Sequence, residues 1–158
     1  MTSPKKTGAG LRGQTVGQTA ISTVGKEGRG LTYRGYSIND LAEQARFEEV
    51  AYLLLYGRLP TQAELTDYLA RLKKLRAIPQ PLREVLEQIP ANANPMDVLR
   101  TGCSMLGALE PETDFSQQRD IADRLLAIFP SILCYWHRFS QDGVCLEVET
   151  DDDSVGAH

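Results

Sequence analysis

Helix start and stop signals cut the chain into short segments and leave room for little besides a mainly helical fold. Thr61-Gln62-Ala63-Glu64 sets a hydroxyl three residues before a carboxylate. That pairing satisfies two amides that would otherwise be orphaned at a helix start. Asn94-Pro95-Met96-Asp97 sets an acceptor side chain, a residue whose φ is already helical, and an acid in the first turn. Ser37 and Asp40 resemble a further capping box ahead of Ile38 and Leu41. The stops match: Gly57 and Pro60 close a helix predicted over 47–56, and Pro79 and Pro81 punctuate the next stretch.

Between these signals the apolar residues recur at helical spacing. Leu65, Tyr68, Leu69, Leu72 and Leu75 share one face, as do Leu82, Val85, Leu86 and Ile89. The helix opened by Asn94 carries Val98, Leu99, Leu106 and Leu109, together with Gly102, Ser104, Gly107 and Ala108, small enough to let another helix approach. The longest stripe is Ile121, Leu125, Ile128, Phe129, Ile132, Leu133 and Trp136. Pro130 lies inside it and predicts a kink or a break there. Ahead of the helices, Thr19–Val24 and Leu31–Tyr33 are β-prone, and the glycines of Gly25–Gly30 can supply positive φ for a hairpin turn. Residues 1–16 read as a flexible N-terminal arm. Ser140–His158 is polar and acidic, with Glu147, Glu149 and Asp151–Asp153, and the Asp151–Asp153 run reads as a solvated loop or a helix N-terminus.

Composition excludes several classes. A formal net charge of -4 gives no reason to expect nucleic acid as a partner. Arg71, Lys73, Lys74 and Arg76 read as the solvated face of a helix. No apolar run reaches the ~20 residues that span a bilayer, and the first residues lack the apolar stretch of a secretory signal. Cys103, Cys134 and Cys145 are odd in number and widely spaced, which fits a reduced, cytoplasmic protein.

Converging groups for catalysis are scarce. His137, in the last turn of a helix, reads as a dipole or packing residue, and His158 has no following chain to fix its tautomer. Cys134-x-x-His137 with Cys145 supplies one close ligand pair where structural zinc usually takes two, so Cys134 reads as a buried free thiol and no metal is expected. Asp151–Asp153 lacks the alternation of a calcium loop, and Gly25–Gly30 lacks the Lys-Ser/Thr of a phosphate loop. Arg71 has two readings: an exposed pair with Asp67 four residues back, or a guanidinium suited to bidentate capture of a dicarboxylate.

The order of these elements, with GLTYRGYSI, FEEVAYLLLYGRLP and TQAEL, resembles the N-terminal region of the citrate synthase family. From about Thr19 to His158, Asn94–Gly102, Leu106-Gly107, Arg119–Asp123, Ser131–Leu133 with Tyr135-Trp136, and Glu149–Ser154 are most similar to its 2-methylcitrate branch. Pro130 departs from the pattern. The resemblance implies a mainly α fold in which a β-hairpin precedes packed helices, residues 17–158 being an incomplete N-terminal part of the large helical domain. It implies condensation of an acyl-CoA, here propionyl-CoA, with oxaloacetate, by a homodimer with no tightly bound cofactor. In that chemistry a carboxylate takes the proton alpha to the thioester and two histidines act on the carbonyls. The segment of type GPKHGGANE that carries one of those histidines is absent from the sequence. The resemblance therefore implies no catalytic residue within the chain, an inactive chain, and a substrate contact at Arg71 alone. Two alternatives stay open: citrate synthase proper, with acetyl-CoA in the tricarboxylic acid cycle, and a helical interaction module or remnant without catalysis.

Overall fold

Three short antiparallel strands precede six α-helices in the computed structural model, which describes residues 17–25, 30–148 and 150–157. The expected N-terminal arm lies outside the described residues. Strands β1 (Ser22–Val24) and β2 (Leu31–Tyr33) pair as the expected hairpin, with Gly25 N–H donating to Gly30 O at 3.0 Å. A third strand, β3 (Tyr36–Ser37), was not expected. It exists because Arg34 and Gly35 both take positive φ, 49° and 91°, the twist that closes a two-residue hairpin. Two residues are too few to show alternation in sequence. Arg34 then anchors the sheet to the helices, its Nη2 donating to Leu54 O at 3.0 Å.

The helices follow their signals. α1 (Ile38–Gln44) is capped by Ser37 alone, which accepts from Asn39 N; Asp40 does not complete the box. α2 (Phe47–Tyr56) stops at Gly57 as expected, and Glu49 closes its first turn by accepting from Arg46 N at 2.8 Å. α3 (Gln62–Lys74) carries the full Thr61–Glu64 capping box, reinforced by Arg58 donating to Glu64. α4 (Gln80–Glu87) is short, and α5 (Pro95–Leu109) begins at Asn94, whose side chain accepts from Met96 N at 2.9 Å. A single turn of 3-10 helix (Phe115–Gln117) leads into α6 (Gln118–Asp142).

Helix α6 is the axis of the fold. One flank packs Ile128, Ile132, Tyr135 and Trp136 against Leu82 and Leu86 of α4 and Val98 and Leu106 of α5. The adjacent flank packs Ala127 against Tyr68 and Leu72 of α3, with Tyr52 and Tyr56 of α2 alongside. Of the kink or break expected at Pro130, the break does not occur: α6 runs through it as one helix. Pro costs a helix interior about 3 kcal/mol, but Ile128, Ser131 and Ile132 around it are fully buried, and that packing holds the helix together.

The small residues of α5 divide into two sets. A Cβ on Gly102 would lie 3.1 Å from Ile132 Cδ1 and Cγ2, so α6 approaches there; Gly107 meets nothing within 4 Å, and Ser104 and Ala108 are exposed. Among the described residues no helix is long and apolar enough to cross a membrane.

The contrast between the two glycines makes a test. Gly102→Ala presses a methyl against a fully buried Ile132, and overpacking of that kind costs about 1–3 kcal/mol, more than the helix-propensity gain of roughly 1 kcal/mol. Gly107→Ala has the gain without the clash. Urea unfolding is expected to show Gly102→Ala less stable and Gly107→Ala more stable than the unsubstituted chain.

Candidate functional site

Arg71 lies in the last turn of α3 and faces α6, not its own helix. Its Nη2 donates to Asp120 Oδ1 at 2.7 Å and lies 3.3 Å from Asp123 Oδ2. The expected partner, Asp67, is not among its ion pairs in the described residues. Asp120 and Asp123 are three apart, so one helix face presents both carboxylates to the guanidinium. Exposure separates their roles. The Asp120 side chain is 72% exposed and the Arg71 side chain 42%, whereas Asp123 is fully buried.

A buried carboxylate persists only when its oxygens are satisfied. Tyr56 Oη donates to Asp123 Oδ2 at 2.6 Å and Tyr68 Oη donates to Oδ1 at 2.9 Å, so α2, α3 and α6 meet on one side chain. The phenols pack as a group. Tyr52 stacks on Tyr56 with centroids 4.4 Å apart, and Tyr68 stands edge-on to both. The guanidinium of Arg119 lies 5.6 Å from the Tyr56 ring centroid. Burial first, and then the hydrogen bond to Asp123, push Tyr56 up to about 12. The same two causes, in the same order, push Tyr68 higher still.

Next to this cluster a groove of about 600 Å³ runs between the end of α3, the C-terminal half of α5 and the start of α6. Leu75, Leu106, Ile121 and Leu125 give it an apolar floor, and Asp120 lies on its edge. Arg124 closes one side: Nε and Nη2 form a two-point pair with Glu110 at 3.1 and 2.9 Å, and Nη1 donates to Leu75 O and Ala77 O. The groove is thus an apolar trough whose one lining guanidinium, Arg124, is already engaged by Glu110 and two backbone carbonyls. Cys103 also lines it and is half-buried.

Other sequence candidates scatter. His137 is exposed beside Trp136, and His158 and Glu149 lie outside the described residues. Cys134 is exposed, not buried as expected, because it lies on the flank of α6 away from both apolar clusters. Cys145 is also exposed, and the described residues hold no group of three His, Cys, Asp or Glu placed for a metal.

The basic run is not one solvated face. Arg76 is only 1% exposed, with Nη1 donating to Asp152 O at 2.7 Å and Nη2 to Ser154 O at 2.9 Å. Lys73 donates to Asp151 O at 2.8 Å. The acidic tail is correspondingly docked, not solvated as a whole: Val148 is buried and Val155 packs against the tyrosine cluster. The reason is the backbone of the tail, whose carbonyls accept from Arg76 and Lys73, while the Asp151 carboxylate, itself exposed, pairs with Lys73 at 3.2 Å. Asp123, Arg76 and Glu48 are what the residue pattern did not reveal. Each is a charged residue in or next to an otherwise ordinary helical period, and only chain distant in sequence, α2 and α3 for Asp123 and the tail for Arg76 and Glu48, shows what each binds.

A mainly helical scaffold led by a small antiparallel sheet defines the structural class. The family described as "Citrate synthase, C-terminal domain" matches residues 10–158, and the chain belongs to the citrate synthase family, a family of transferases. A 2-methylcitrate synthase of Shewanella oneidensis is 68% identical over 154 residues, covering 98% of this chain and 41% of that protein. A 2-methylcitrate synthase of Mycobacterium tuberculosis is 44% identical over 125 residues, covering 78% of this chain and 32% of that protein. A solved structure of citrate synthase from Thermoplasma acidophilum, described as a ternary complex with carboxymethyl coenzyme A and oxaloacetate, superposes with a TM-score of 0.78 at 26% identity. That superposition covers 91% of this chain and 38% of the other. The chain thus spans about two-fifths of the length of the relatives it matches most fully.

The raised tyrosines set an alkaline limit. A phenol whose pKa is higher in the folded state stabilises fully below its unfolded value of 10, and that stability is lost as pH rises through about 12. Urea midpoints are expected to fall between pH 10 and 12. Tyr56→Phe should lower the unfolding free energy at pH 8 by roughly 1.5–3 kcal/mol, the worth of a hydrogen bond to a charged group, and flatten part of the alkaline decline.

Proposed function

We propose that the complete protein is a 2-methylcitrate synthase that condenses propionyl-CoA with oxaloacetate and water to give 2-methylcitrate and CoA, in the breakdown of propionate. The observation that carries this reading is the 68% identity to a 2-methylcitrate synthase along almost all of the chain. Residues 94–101 and 149–154 point the same way, because they carry the resemblance to the methylcitrate branch. In this reading the protein works in the cytoplasm as a homodimer with no tightly bound cofactor. The 158-residue chain by itself is inactive, since the histidine-bearing segment of type GPKHGGANE is not in it.

Within the chain, Arg71 is the residue proposed to meet substrate. Its guanidinium is part-exposed at the edge of the tyrosine cluster, and a substrate carboxylate would compete with the exposed Asp120 while buried Asp123 kept its tyrosines. The second reading is citrate synthase acting on acetyl-CoA, favoured by the superposition on the Thermoplasma enzyme.

Free-thiol release by the complete protein, with oxaloacetate and either acyl-CoA, decides between them. One methylene in an apolar pocket is worth about 10–200-fold, so kcat/KM is expected to favour propionyl-CoA by at least about tenfold; preference for acetyl-CoA overturns the assignment. The 158-residue chain is expected to release no thiol above buffer. Arg71→Ala in the complete protein should raise KM for oxaloacetate and leave KM for the acyl-CoA unchanged. Unchanged values for both would reduce Arg71 to a structural ion pair.

A further inference from the structure

The segment 150–157 is held by two buried charged side chains that no step of the proposed condensation uses. Arg76, just beyond the end of α3, spends both terminal nitrogens on it: Nη1 donates to Asp152 O and approaches Thr150 Oγ1 at 3.4 Å, and Nη2 donates to Ser154 O at 2.9 Å. Glu48, in the first turn of α2 and 1% exposed, accepts from Val155 N at 2.6 Å. The two residues flank one point in the chain. Arg76 takes carbonyls up to and including Ser154, and Glu48 takes the first amide after it.

The local hydrogen bonding at that point is of the kind found at a helix start. Ser154 Oγ accepts from Ala157 N at 3.0 Å, the bond from an N-cap side chain to the third residue of a helix. Residues 155–157 form a turn. Counting from Ser154 as N-cap, Val155 N is the first of the four amides that a helix leaves without an internal acceptor. Here a carboxylate from a distant helix accepts it, and negative charge at that end also suits the helix dipole. Val155 itself packs against the cluster of Tyr68, Leu72 and Ala127, so the turn is fixed against the same group that holds the Tyr68 donor to Asp123.

We propose that Glu48 and Arg76 form a clasp that sets a helix start at Ser154, with Arg76 fixing the incoming backbone and Glu48 acting as a cap supplied in trans by α2. Tail and clasp open together as a local unit while the α4–α6 core stays closed. This assignment is independent of the acyl-CoA reading, since it concerns backbone amides and not substrate.

Amide exchange of the 158-residue chain, followed residue by residue by NMR, tests it. Glu48→Ala and Arg76→Met are each expected to speed exchange at Val155 and Ala157 by about tenfold, the worth of one average hydrogen bond. Val98, Leu106, Ile128 and Ile132 should stay within about twofold, as a local opening requires. Glu48→Gln, which keeps an acceptor oxygen, should restore most of the protection lost in Glu48→Ala. Unchanged exchange at Val155 and Ala157 overturns the clasp, and so does equal acceleration of the core amides. Should either variant fail to fold, Ser154→Ala decides: faster exchange at Ala157 with Val155 still protected supports the helix start, and an unmoved Ala157 overturns it.

Discussion

A carboxylate without access to water, Asp123, is the point on which three helices meet. Its two oxygens take a phenol from α2 and a phenol from α3, with Arg71 alongside. Removing one partner of such a group leaves a buried charge short of a donor, and that penalty is larger than the net worth of the bond itself. The geometry of α2, α3 and α6 is therefore coupled: a shift of any one misplaces a donor that the other two need. Apolar packing alone would tolerate sliding along the helix axes, but two hydrogen bonds and an ion pair to one side chain do not.

Around this point α6 divides the interior. Its Ile128–Trp136 flank supports α4 and α5 with aliphatic packing, and polar atoms enter only where a phenol or indole can reach a partner, as with Tyr135 donating to Glu87 at 2.6 Å and Trp136 to Ile89 O at 3.3 Å. The flank toward α2 and α3 is aromatic and charged. Glu48, Arg71, Asp120 and Asp123 lie on or beside that second side, whereas Arg124 and Glu110 border the groove next to α5. The two sides have different energetics. The aliphatic side supplies stability through burial, and the aromatic side supplies position through directional bonds.

The helices were legible because their signals are local. Thr61 with Glu64 and Asn94 with Pro95 each act within one turn, and the structure shows the expected caps at both. Ser37 was half legible: its hydroxyl caps α1, but a shorter Asp at position 40 does not reach back. Pro130 does not break α6, because its cost is local while the packing that overrides it comes from α4 and α5. The pairing of Arg71 misled for a related reason. Helical spacing offers Asp67, yet a neighbouring helix brings Asp120 and Asp123 closer, and nothing in the spacing of α3 reports what α6 places opposite.

By itself the amino-acid order determined where helices begin and end, which faces are apolar, and, through extended motifs, membership of the citrate synthase family. Those properties rest on contacts within a few residues or on stretches long enough to compare whole. Only the tertiary structure decided which charges are buried and whom they bind. Arg71 and Arg76 are five residues apart in the same basic run; one meets two carboxylates at a half-open edge and the other vanishes under the tail to hold backbone carbonyls. The worth of a charge depends on the dielectric and the partners around it, and both are supplied by chain that is some 50 to 80 residues away in sequence.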